Sequence, residues 1–143
     1  MFSPILAPVV ALVAWTLVMQ IWLYATRFPA LKRKGISLKG RVGSKGCDLD
    51  GVVEPEVQWK AHNYNHLLEQ PTIFYAIALA LALMDFGGGI NLYLAWAYVG
   101  LRIVHSLIQA TVNVVLYRFL VFALGSLCLL GLTVHAAARL IHG

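Results

Sequence analysis

The sequence predicts an all-α protein, a four-helix transmembrane bundle forming one domain over residues 1–143. Three observations predict it. Of the 143 residues, 60% are hydrophobic and only 12% charged, with a mean hydropathy of +0.77. That is about half the usual charged share of a soluble domain, too little polar surface to cover a chain of this size. Apolar stretches recur at about 4–26, 57–84, 91–112 and 119–139, each near the roughly 20 residues that cross a bilayer. Most of the cations lie in one segment, about 27–56, between the first two stretches. The net charge of +5 is therefore read as setting orientation and meeting anionic lipid, and no nucleic-acid partner is expected. Cys47 in the basic segment and Cys128 in an apolar run do not suggest a disulfide framework.

The first span, PILAPVVALVAWTLVMQIWLYAT at 4–26, carries no charge. A cleaved signal peptide wants a positive start and a short apolar core. Neither is present before Arg27, so a retained span is expected. Pro4 and Pro8 fall in its first turns, where proline is tolerated.

The segment 27–56 opens with Arg27, Lys32, Arg33, Lys34, Lys39, Arg41 and Lys45, then turns acidic at Asp48, Asp50, Glu54 and Glu56. Five glycines from Gly35 to Gly51 oppose a helix. It is read as a solvated cytoplasmic loop obeying the positive-inside rule, with an electrostatic lid or lipid-contact segment as the alternative.

The second span has a polar front half. Gln58, His62, Asn65, His66 and Glu69 fall within an arc of about 100° on a helix. The back half, IFYAIALALALM, is wholly apolar. Pro71 should kink this helix and leave the carbonyl of Leu67 without its intrahelical partner. Asp85-Phe86 and three glycines then form a tight turn with no Lys or Arg, which suits the outer side.

Arg102, His105, Ser106 and Gln109 of the third span and Asn113 just beyond it again share an arc of about 100°. An arginine at mid-membrane depth costs about 2.5–3.5 kcal/mol on insertion scales and faces a bundle interior or a water-filled cavity. A polar turn at about 113–118 leads to the fourth span, where Gly125, Gly131 and the small residues 136–138 permit close packing. Four crossings place both termini on one side, here the non-cytoplasmic side, with the 27–56 loop and Arg118 on the other. The two polar stripes then meet in the cytoplasmic half of the membrane.

Together the stripes admit several readings. Glu69 and Arg102 could pair to neutralise two buried charges. His62, His66 and Glu69 share a helix face, but no Glu follows the first His and no Cys is near, so no metal is expected. Buried arginines recognise carboxylates bidentately and a buried carboxylate binds ammonium, which suits an anionic or amphipathic ligand beside lipid. A small pore along the stripes is a further reading, although four helices enclose little water.

The chain resembles the MAPEG family, the membrane-associated proteins in eicosanoid and glutathione metabolism, and is most similar to its bacterial-type branch. The stretch NYNHLLEQPTIFYAIAL (63–79), the run AWAYVGLRIVHS (95–106) and Asn113 through Arg118-Phe119 carry the resemblance. It implies a homotrimer of four-helix protomers. It also implies a cleft between protomers that binds glutathione as co-substrate, open to the cytoplasm and the bilayer. The implied activity is transfer to, or peroxide reduction of, lipophilic small molecules. Carried over by position, Glu69 would hold the glutathione amino group. Arg102 and His105 would line the pocket, with Asn65, His66, His62 and Gln109 around it. Arg27 would contact a carboxylate, and Arg118 would favour the thiolate. The pattern departs from enzymatic members where His62 and Asn65 replace arginines, His66 replaces an asparagine, and Gln109 and Phe122 replace aromatic hydroxyls. The alternative function is a non-catalytic lipid-binding or scaffold protein of the same fold. The expected location is the cell's inner (plasma) membrane if the source is bacterial.

Overall fold

The computed structural model describes residues 1–143 as an all-helical chain without strands. Five α-helices follow in order: α1 (Leu6–Arg33), α2 (Pro55–Leu67), α3 (Pro71–Leu83), α4 (Gly89–Ala110) and α5 (Val115–His142). A single 3₁₀ turn, Gly46–Leu49, interrupts the segment between α1 and α2. Three stretches, Leu6–Arg33, Pro55–Leu83 and Val115–His142, are long and apolar enough to cross a membrane. The 22 residues of α4 extend about 33 Å, and α4 packs along α5 and against α1 and α2.

The first helix does not stop at residue 26. Lys32 and Arg33 in its last turn complement the negative end of the helix dipole and favour the extension. Pro29 is accommodated within it. Termination is a Schellman motif: Gly35 has φ 67°, its N–H donates to the Lys32 carbonyl, and that of Ile36 donates to the Leu31 carbonyl. Arg27 thus lies within a helix rather than in a loop.

The loop is also more structured than a solvated connection. Leu49 and Val53 are buried against Ala30 and Leu31, with Ile36 and Val57 packed around them. Residues 34–54 therefore fold back as a strap over the ends of α1 and α2.

Pro71 interrupts the second span, with a three-residue turn at 68–70 between α2 and α3. It occupies the first turn of α3, where its missing N–H costs nothing. Residues 68–70 form tight turns, with Leu68 donating to Asn65 and Glu69 donating to His66. At the far end Asp85, with φ 51°, closes α3 through Phe86 N–H bonding the Leu81 carbonyl. Gly87 is obligatory there, because a Cβ would collide with Ser3 and Ile5 of the N-terminal turn.

The fourth span begins at Val115, so Arg118 sits in the first turn of α5 rather than in a preceding loop. The connecting turn places Asn113 at φ 52°, which asparagine tolerates better than most residues.

The core runs between all the helices: Leu12 and Met19 from α1, Phe74 and Leu81 from α3, Tyr98 from α4, and Leu129 and Leu132 from α5. The Phe74 and Tyr98 rings stack at 4.5 Å. At the end of the bundle that carries the α3–α4 turn, His135 meets Asn91 at 2.6 Å while Asn91 donates to the Phe86 carbonyl. The outside is as apolar as the inside. Leu116, Leu120, Leu124, Leu127, Leu130 and Val134 all stand exposed along α5, a surface for lipid or another subunit.

Candidate functional site

The break after α2 creates the site. Pro71 has no N–H to offer the Leu67 carbonyl, so α2 ends at Leu67 and presents the negative end of its dipole there. Arg102 of α4 meets that end. Its Nη2 donates to His66 Nδ1 at 2.9 Å and to the His66 carbonyl at 3.3 Å. The residue is 1% exposed, and its Nε and Nη1 find no acceptor within the chain.

Around it the α4 stripe is buried, as its periodicity predicts. His105, Ser106 and Gln109 are all buried, and His105 Nδ1, Ser106 Oγ and Gln109 Oε1 lack hydrogen-bond partners. The His105 ring stacks on His66 at 4.8 Å with 13° between planes, and Phe122 of α5 packs edge-on to His66 at 5.6 Å. Arg118 stands one turn before Phe122 on the same helix, half-buried, with Nε unpartnered. The charges of Arg102 and Arg118 both act on the two imidazoles. Residues from α2, α4 and α5 therefore converge on one cationic, donor-rich patch.

The Glu69–Arg102 pair does not form. Glu69 lies in the tight turn after α2, which rotates it off the helical stripe, and its side chain is 68% exposed. The nearest basic side chain is His66, at 4.0 Å. Asn65 is exposed as well. His62, His66 and Glu69 do not assemble as one ligand set, since His62 bonds Asp50 at 3.1 Å.

His62 and Arg27 belong to a second network under the strap. Arg27 Nη2 donates to Gln58 Oε1 at 2.9 Å, and Gln58 Nε2 donates to Asp50 Oδ1 at 2.6 Å and to the Gly46 carbonyl at 3.1 Å. Gln58 precedes His66 by eight residues, about 12 Å along the axis. The Asp50 carboxyl is held below the usual carboxylate range, first by the Gln58 hydrogen bond and then by that of His62.

Two polar groups escaped the stripe analysis. Asn63 is 1% exposed with both amide atoms unpartnered. Because α2 packs against both α1 and α4, it buries two faces, and one stripe cannot describe it. Gln70 accepts from Tyr98 Oη at 3.2 Å and donates to Ser126 Oγ at 2.9 Å. It ties the α2–α3 break to α4 and α5. Its place beside Pro71 was the available signal.

Comparison with known proteins adds one finding. A family model described as the MAPEG family matches residues 5–138, nearly the whole chain. No curated protein and no solved structure matches it.

Proposed function

The chain belongs to the MAPEG family, integral membrane proteins of eicosanoid and glutathione metabolism, and on that premise we propose a membrane-bound glutathione-dependent transferase or peroxidase acting on lipophilic electrophiles. One observation carries the reading. Arg102 is buried without a carboxylate partner, and two of its nitrogens have no acceptor. A buried unpaired guanidinium is costly. A ligand carboxylate that accepts from Nε or from Nη1 offsets that cost through a charge-assisted hydrogen bond. The unpartnered atoms of His105, Ser106 and Gln109 suit the amides of a peptide.

The remaining roles follow from chemistry and exposure. Glu69, exposed beside His66, holds the ammonium group. Arg118 stands where its charge favours a thiolate, the form of a thiol that attacks electrophiles. The apolar exterior supplies the route for a lipophilic substrate. Because Glu69 and Asn65 face outward, the proposed site is completed by a neighbouring copy in a homotrimer. The orientation proposed keeps the strap and Arg118 cytoplasmic and both termini outside, in a plasma membrane.

Arg27 and His62 serve the strap in this reading and reach the ligand only through Gln58 and Asp50. That arrangement favours a second reading, a non-catalytic lipid-binding or scaffold protein, since only Arg102 and Arg118 remain in the cluster. Calorimetric titration of detergent-purified protein with glutathione decides between them. Saturable binding coupled to conjugation of an electrophilic dye supports the enzyme. Absence of binding at millimolar concentration supports the scaffold.

A further inference from the structure

A cleft of about 340 Å³ opens between the end of α1 and the strap. Tyr24, Phe28 and Leu31 of α1 form one wall, and Arg27, Arg41 and Lys45 supply three cations; no acidic side chain lines it. Residues 27–49 hold seven cations and one acid, Asp48. That acid is engaged by the strap itself, accepting from the Lys45 backbone N–H at 2.7 Å. Of these seven cations only Arg33, at the end of α1, is ion-paired, to Glu54 at 3.8 Å. Arg27 Nε is buried and unpartnered. The strap backbone presses against this guanidinium, since a Cβ at Gly46 would sit 3.3 Å from Arg27 Nη1.

The cleft is also continuous with an apolar track. Val10, Val13, Leu17, Ile21, Tyr24 and Phe28 are all exposed on α1, and their three- and four-residue spacing puts them on one helix face. The Tyr24 and Phe28 rings stack at 5.5 Å where the track enters the cleft. On the strap, Leu38 and Val42 are exposed between cations, the mixture that suits a membrane interface. A soluble anion uses the cations but not the track. An anionic lipid uses both.

We infer that this cleft binds the phosphate headgroup of an anionic phospholipid, with the phosphate among Arg27, Arg41 and Lys45 and an acyl chain along the exposed face of α1. It is distinct from the Arg102 patch and does not depend on glutathione binding. Native mass spectrometry of the full chain released from detergent, titrated with phosphatidylglycerol or phosphatidylcholine, tests it. At about fivefold per cation near the surface, the anionic lipid is retained by about 100-fold over the zwitterionic one. In Arg41→Gln/Lys45→Gln the preference falls to within about fivefold, while Arg33→Gln/Lys34→Gln, of equal charge change outside the cleft, keeps it. Equal retention of the two lipids by the wild type overturns the inference. So does equal loss in both double variants, which means diffuse surface charge. Binding of glycerol phosphate as tight as that of the lipid assigns the cleft to a free phosphate and overturns the lipid as well.

Discussion

Arg102 donates to Nδ1 of His66 at 2.9 Å, and this fixes the histidine's tautomer. A guanidinium has no acceptor, so Nδ1 must carry the lone pair and the proton resides on Nε2. That nitrogen faces Glu69 at 4.0 Å. Arg102 and Glu69 thus stand on opposite sides of one imidazole without a direct ion pair, and the 4.0 Å to Glu69 is too long for a hydrogen bond.

The first prediction concerns the buried charge. In Arg102→Met an unpaired cation leaves the interior, a change worth about 1–4 kcal/mol when apolar packing replaces it. Against this, His66 Nδ1 loses its donor at a cost of about 1–3 kcal/mol, reduced because the His66 side chain is 26% exposed and can meet water. The expected outcome is an unchanged or raised melting temperature in detergent together with loss of glutathione binding by calorimetry. A large drop in melting temperature would show that Arg102 is structural.

Glu69 separates binding from folding. Its side chain is exposed and makes only the long His66 contact, so Glu69→Gln leaves the melting temperature within about 1 °C of wild type, as expected for a surface change. Losing one charge-assisted hydrogen bond to an ammonium group weakens glutathione about tenfold. The same calorimetric titration reads this, and unaltered affinity removes Glu69 from the site.

Arg118 distinguishes catalysis from binding. In Arg118→Ala the rate of dye conjugation falls about 100-fold, the scale of removing one electrostatic stabiliser, with glutathione affinity reduced by less than about threefold. Thiolate absorbance of the bound tripeptide should fall in parallel. Equal conjugation by wild type and variant rejects the assigned role.

The strap should loosen in acid. Asp50 is held below the usual carboxylate range by Gln58 and His62, with Arg27 adding to the effect. A depressed folded value stabilises the strap fully above the unfolded value, about 3.9, and that contribution is lost as pH falls through the folded value. Protection factors at 46–50, with the intrinsic pH dependence of amide exchange divided out, are therefore flat near neutrality and fall below about pH 4. Asp50→Asn should raise exchange at neutral pH and remove the acid step. A step at higher pH that persists in the variant would point to another group.

Much of this molecule was legible in its sequence. Apolar length and cation placement gave an all-helical chain with membrane-spanning stretches, because lipid forces every backbone polar group into internal hydrogen bonds. The α4 stripe was legible for a related reason. In an otherwise apolar helix, Arg102, His105, Ser106 and Gln109 can only face inward, and they do.

Tertiary structure decided what those residues touch. The stripe on α2 was misread because a helix packed on two sides has two buried faces, so Asn63 went inside and Asn65 outside. Glu69 left the stripe because the turn before Pro71 breaks the 3.6-residue period on which the stripe depended. The strap over Arg27 was hidden for a different reason. Leu49 and Val53 meet Ala30 and Leu31 across some twenty residues of glycine-rich chain, a contact set by the whole fold and by no local pattern. Local periodicity and the bilayer thus determined the helices and the buried cation. Long-range packing alone decided that this cation meets a histidine instead of a carboxylate.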